Sequence, residues 1–176
     1  GERYRVIVTT GGGLYRYQTH DVIEVVGFLE QCPLIRFCGR ANRTSDLVGE
    51  KLTEVFVASA IDRMAKRLSI VPAFAMLVPH RNSPGYRLIV ELNGESKKPS
   101  ASTIAATLES LLCENPWYNH AIQVGQLSHL RVTVDESNSG HQWDTYEKKC
   151  LSSGIRLGDI KPTSLETRFD WDPAGD

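Results

Sequence analysis

Tyr17-Gln18-Thr19-His20-Asp21, followed by Gly39-Arg40 and then by Gly49-Glu50-Lys51-Leu52, is the stretch on which the fold turns. It ties a β-hairpin ending in a carboxylate to a polar connector, and the connector opens a second region of different character. Upstream, Tyr4-Arg5-Val6-Ile7-Val8-Thr9 is apolar and β-branched, which predicts a strand. Gly11-Gly12-Gly13 breaks it and Leu14-Tyr15-Arg16-Tyr17 resumes it, a hairpin signal because glycine admits the positive φ of tight turns. Asp21 to Val26 predicts a third strand ended by Gly27, and Leu34 to Cys38 a fourth, with Pro33 at its entrance. Arg40 to Gly49 is polar and without period, so it reads as a connector.

Beyond the connector the period changes. Thr53 is placed to cap a helix whose apolar residues Val57, Ile61, Met64 and Leu68 share one face. Ala73 to Val78 and Tyr86 to Leu92 predict two strands; in the second, Tyr86, Leu88, Val90 and Leu92 alternate with Arg87, Ile89 and Glu91, which predicts one face more buried than the other. Ile104, Leu108 and Leu111 stripe a second helix expected to stop before Pro116, with Trp117-Tyr118 in a packed loop or a partner-facing patch. Leu130, Val132 and Val134 mark a third strand, and Trp143, Tyr146 and Cys150 line a last short helix. The expected class is α+β: the end of a β-subdomain followed by a small domain with a mostly antiparallel sheet of about three strands and flanking helices. The tail after Leu165 reads as irregular.

Bulk properties exclude several classes. The 176 residues suffice for one ample core or two modest ones. A net charge of -1 argues against a general nucleic-acid binder, which carries a basic face. Cys32, Cys38, Cys113 and Cys150 form no CxxC pair, so neither a zinc site nor a disulfide framework is expected, and a reducing cytoplasm is the expected setting. No apolar run is long enough to span a bilayer as a helix. The chain enters a strand directly after Gly1-Glu2, which reads as the continuation of a sheet begun upstream.

Individually, the polar residues leave two readings open. Asp21 offers two acceptor oxygens, or is simply a capping or edge carboxylate. Arg40 is a planar fork of donors, or a surface arginine paired with Asp46 or Glu50. Lys161, within Gly158-Asp159-Ile160-Lys161-Pro162, is a mobile point charge or a solvated tail residue. Tyr17 is a stacking surface or a strand aromatic. His20 reads as a turn residue, and no second histidine stands at ligand spacing, so no metal site is expected. Gly11-Gly12-Gly13 lies in a hairpin and is no phosphate cradle.

Taken together, these motifs resemble the C-terminal part of the auxin-responsive promoter family of acyl acid amido synthetases, within the adenylating superfamily that includes acyl-CoA synthetases and luciferases. The superfamily ribose motif reads Tyr-Arg-Thr-Gly-Asp; here it stands as Tyr17 to Asp21, with Gln18 and His20 as departures. The hinge motif begins Gly-Arg, here Gly39-Arg40, and returns as Gly49-Glu50-Lys51-Leu52; Asn42 stands where many members carry a hinge aspartate.

The resemblance implies a division into strands of the large adenylation domain (1–38), a hinge (39–50) that includes Asn42 and Arg43, and a lid domain (51–176). It implies Asp21, Tyr17 and Arg40 as ATP contacts and Lys161 as the catalytic lid lysine. ATP with Mg2+ would be the cofactor, and a small carboxylic acid with an amino acid or amine the substrates. The large domain of the same protein would be the partner, with no nucleic acid or membrane. The triphosphate cradle, the magnesium ligands and the acyl pocket would lie upstream, so this chain alone is expected to be inactive. The alternatives are an isolated α+β interaction or ligand-binding domain, and part of an acyl-CoA ligase.

Overall fold

Three strands open the chain in the computed structural model, which describes residues 2–40, 43–80, 84–93, 99–135 and 140–167. β1 (Arg3–Val8), β2 (Tyr17–Leu29) and β3 (Cys32–Arg40) form an antiparallel sheet in that order. Three strands replace the four expected. Leu14 to Arg16 belong to the turn, where the Thr10 amide donates to the Leu14 carbonyl at 2.8 Å. Tyr17 and the Asp21–Val26 stretch merge into one strand, because His20 takes a left-handed φ of 62° and carries the chain through a bulge. The Thr19 hydroxyl bridges that bulge: it donates to the Val6 carbonyl at 3.3 Å and accepts the Asp21 amide at 3.2 Å.

The connector closes on itself. β4 (Thr44–Ser45) pairs antiparallel with β5 (Leu52–Thr53). Between them the Asp46 carboxylate accepts the Gly49 amide at 2.7 Å, and Gly49 has φ 108°, which a side chain would strain. Glu50 is fully buried: its carboxylate accepts the amides of Leu47 and Val48 and the hydroxyl of Tyr86. Glu50 is therefore a structural staple and is not available to Arg40.

α1 (Glu54–Leu68) begins at Thr53, whose side chain accepts the Phe56 amide, and buries Val57, Ala60, Ile61 and Met64. β6 (Pro72–Pro79) and β7 (Tyr86–Leu92) are antiparallel, and β8 (Arg131–Asp135) runs parallel to β7, giving the order β6-β7-β8. α2 (Ala101–Leu112), α3 (Pro116–Gln123) and α4 (His141–Ser152) complete the elements, with a 3-10 turn at Leu157–Asp159. Pro116 opens a helix instead of leading into a loop: Asn115 caps it, and proline at the first turn loses no intrahelical hydrogen bond. Tyr118 is buried there and Trp117 exposed, so the pair forms no single patch.

β7 is buried along its whole length, against the expectation of a more exposed face. On one side Leu88, Val90 and Leu92 join α1 and α2; on the other Ile89 joins Phe74, Met76, Val78 and Tyr146 and Cys150 of α4. Glu91 is tolerated inside because its carboxylate accepts the amides of Gly140 and Gln142 at the start of α4. The stretch Ser164–Glu166 adds to the free edge of β6: the Leu77 amide donates to Ser164 at 2.9 Å and the Glu166 amide to Leu77 at 2.8 Å.

Candidate active site

β2 and β3 set Asp21 directly opposite Arg40 in the ladder. Arg40 Nε stands 3.6 Å from Asp21 Oδ1. Lys161, 140 positions away in the chain, reaches the other oxygen: Nζ to Oδ2 is 3.2 Å. Its ammonium also lies 5.9 Å from the centre of the Phe37 ring, within cation–π range. Three of the residues singled out by type and motif thus meet at one point. Their charges sum to one net positive, which suits an anionic group.

Asp21 Oδ1 and Arg40 Nε are both buried and without a hydrogen-bond partner among the described residues. At 3.6 Å the two attract electrostatically, but the separation is long for a hydrogen bond. A hydroxyl is the complement of this pair, since it can donate to the carboxylate and accept from the guanidinium.

Tyr17 stands apart. It begins β2 opposite Val8 and its side chain is 53% exposed. Asn42 lies outside the described residues. Arg43 is tied to the C-terminal tail and to α1: its guanidinium donates to Thr163 Oγ1 at 2.5 Å and to the Leu165 carbonyl at 3.3 Å, and its carbonyl accepts the Glu54 amide at 3.0 Å.

The supports of Lys161 were not visible in the sequence. Ile160 packs on the Phe74–Tyr146 cluster. The Tyr146 hydroxyl donates to the Lys161 carbonyl at 3.1 Å. Burial pushes this phenol up to about 12, aided by its contact with Cys150, so it stays a donor throughout the neutral range. On the far side of Lys161, Thr163 is buried and its hydroxyl donates to Glu54 at 2.6 Å. A Thr-Glu pair at a helix start reads as capping and an acidic first turn, which hides the longer reach of Glu54. A cleft of about 560 Å³ opens beside these residues, lined in part by Phe37, Glu54, Phe74, Trp143 and Thr163.

The GH3 family central domain matches residues 1–40, and the GH3 family C-terminal domain matches residues 55–167. The chain belongs to the GH3 family. A jasmonoyl–L-amino acid synthetase of Nicotiana attenuata is 36% identical over 103 residues, covering 56% of this chain and 18% of that protein. An indole-3-acetic acid-amido synthetase of Arabidopsis thaliana is 30% identical over 69 residues, 39% of this chain and 12% of that protein. The matched stretches therefore span under a fifth of the length of these relatives. A solved GH3.15 acyl acid amido synthetase shares the fold, with a TM-score of 0.68 over 96% of this chain and 32% of that one, at 22% identity. The α+β architecture is that of the GH3 C-terminal region, and Asp21 and Arg40 fall in the part matching the central domain, while Lys161 falls in the part matching the C-terminal domain. Among the described residues no group of three or more His, Cys, Asp or Glu is arranged to hold a metal ion.

Proposed function

We propose that this chain is the closing end of an ATP-dependent ligase that activates a small carboxylic acid as its adenylate and joins it to an amino acid or amine. The meeting of Asp21, Arg40 and Lys161 across the two matched domains carries the reading. Asp21 and Arg40 would bind a ribose hydroxyl through the two atoms that lack partners. Lys161 would leave Asp21 for the carboxylate and α-phosphate of the substrates as charge builds between them. In that step a carboxylate oxygen bonds to the α-phosphorus and pyrophosphate departs. In the next, the amine nitrogen bonds to the acyl carbon, AMP departs and the amine loses a proton. The protein's part is positioning and charge stabilisation.

The described residues do not fit a magnesium ion, so Mg2+ would arrive with ATP and be met by the large domain. That domain is also the proposed cover for the exposed apolar face of the β1-β2-β3 sheet, where Phe28 and Ile35 stand open. The connector 39–50 would be the hinge, with Arg43 held to Thr163 and Leu165 on its far side. Hinge motion there would serve the change from adenylation to transfer. Free cysteines and ATP use both agree with a cytoplasmic setting.

The test uses the full-length parent, with pyrophosphate release measured across carboxylic acids, with and without amino acids or coenzyme A. Amino-acid-dependent amide formation is expected; thioester formation would make it an acyl-CoA ligase, and no release with any acid would leave the reading of an interaction domain. Asp21→Ala should mainly raise the KM for ATP, since ribose is held in ground and transition states alike. Lys161→Ala should lower kcat for adenylation by roughly 30- to 1,000-fold, the loss of about 2–4 kcal/mol of charge stabilisation. Transfer from a supplied acyl-adenylate should be far less sensitive. Equal slowing of both steps by Lys161→Ala would remove Lys161 from the chemistry.

A further inference from the structure

Glu54 is 1% exposed, yet its carboxylate is ionisable and touches three separate segments. Oε2 accepts the backbone amide of Arg40 at 2.9 Å. Oε1 accepts the Thr163 hydroxyl at 2.6 Å and the Ser164 amide at 3.3 Å. The Arg43 guanidinium reaches the same charge through Thr163, donating to its hydroxyl oxygen. Gly39 packs against the Glu54 side chain: a Cβ built there would stand 3.2 Å from Glu54 Cγ, and the residue has φ 131°, where a side chain is strained. The glycine of Gly39-Arg40 thus has a physical reason, the close approach of Glu54.

One bond of this set differs from the rest. Thr163, Ser164 and Glu54 all belong to the lid and move with it. The Arg40 amide belongs to the end of β3, beside Asp21. If the lid swings as proposed, the bond between Glu54 and Arg40 belongs to the pose seen here, which also sets Lys161 against Asp21. Thr163 is two residues from Lys161, and Arg40 is the ladder partner of Asp21. A single carboxylate thus joins the backbone behind both halves of the site.

We propose that Glu54 is a pose-selective positioning residue: it latches the lid through the Arg40 amide and holds Lys161 in register with Asp21 through Thr163. In its role in catalysis this rests on the reading of Asp21, Arg40 and Lys161 as the adenylation group. The hydrogen bond between Glu54 and the Arg40 amide does not. Glutamine fits the space, but its single acceptor oxygen cannot receive the amide of Arg40 and the donors of the tail together.

Two readouts test it. In this 176-residue chain, Glu54→Gln should raise the hydrogen-exchange rate of the Arg40 amide by about tenfold or more, the effect of losing a charge-assisted hydrogen bond. The β7 amides should stay protected. Thr163→Val should leave the Arg40 amide protected while making Lys161 more reactive to amine labelling. An unchanged Arg40 amide in Glu54→Gln, or equal loss of protection across β7, would overturn the latch.

In the full-length parent, Glu54→Gln should slow adenylation by about tenfold or more, by the same loss. Transfer from supplied acyl-adenylate should change by no more than about twofold, because that step uses the other lid pose. Equal slowing of both steps would mean a merely structural carboxylate. If the parent adenylates no acid at all, the ligase reading falls, and the exchange measurement alone still decides whether Glu54 latches Arg40.

Discussion

In β7 every residue from Tyr86 to Leu92 is buried, whereas Val22 is the one large apolar side chain of β1, β2 and β3 that is fully shielded. Both sheets have three strands and similar β-branched composition. The difference is what stands over them. Helices α1 and α2 cover one face of the β6-β7-β8 sheet, and α4 with its flanking tail covers the other. The front sheet has α1 near one end of β3 and little else, so Ile35 and Phe28 remain 58% and 68% exposed. The β6-β7-β8 layer builds a core; the front sheet offers an edge. Its contribution is the ladder position of Asp21 against Arg40 and the amide that meets Glu54, and neither needs a core of its own.

The sharpest way to break this comparison is by truncating one side chain in each sheet. Leu88→Ala removes a fully buried side chain of the lid and should cost about 2–5 kcal/mol, seen as a lower denaturant midpoint. Ile35→Ala on the open face should stay within about 0.5 kcal/mol. Similar losses at both positions would mean that the front sheet is packed in solution.

A smaller effect should appear at alkaline pH, carried by the buried phenols beyond the connector. Burial raises the phenols of Tyr86 and Tyr118, and lifts Tyr146 to about 12. Each folded phenol holds its proton above the ordinary value of 10, so its stabilising effect is complete below pH 10. It is lost as pH rises from 10 towards 12, because the unfolded chain releases the proton first. Each such group contributes about 1.4 kcal/mol of destabilisation per pH unit in that window. Tyr146→Phe should therefore flatten the fall of thermal midpoint between pH 10 and 12; an unaltered slope would place Tyr146 in contact with solvent.

The smallest expected change lies in the front sheet. His20 occupies a left-handed conformation where the superfamily motif has glycine, at a cost of about 1–2 kcal/mol. His20→Gly relieves it but adds freedom to the unfolded chain, so a net gain of up to about 1 kcal/mol is expected in denaturant melts. His20→Val should lose stability instead. A loss with glycine would show that the imidazole itself holds the bulge.

Much of the lid was legible because its signals are local. Thr53 caps the helix that Val57, Ile61 and Met64 pattern, and Leu130 to Val134 and Trp143 to Cys150 mark β8 and α4 by their apolar spacing. Where the structure differs, a specific hydrogen-bond partner outweighs the composition of the stretch. The second helix stops before Pro116 as expected, but Trp117 and Tyr118 stand in a helix capped by Asn115, not in a loop. Glu91 reads as a solvent-facing residue of β7 until α4 sets two amides on its carboxylate. Leu14 and Tyr15 have strand composition, but the bulge at His20 leaves them in the turn.

For the site, sequence alone determined the residue types: a carboxylate after the ribose-like motif, an arginine after Gly39, a lysine between Ile160 and Pro162. Chemistry restricts such groups to few roles, and their spacing in the motifs carries the resemblance. Only the tertiary structure decided that the three converge, that Glu50 and Glu54 are buried staples, and that Tyr146 and Thr163 hold the backbone on either side of Lys161. Those contacts join residues up to 140 positions apart. Their energy depends on burial and on hydrogen-bond distance, and neither property exists in a chain until it has folded.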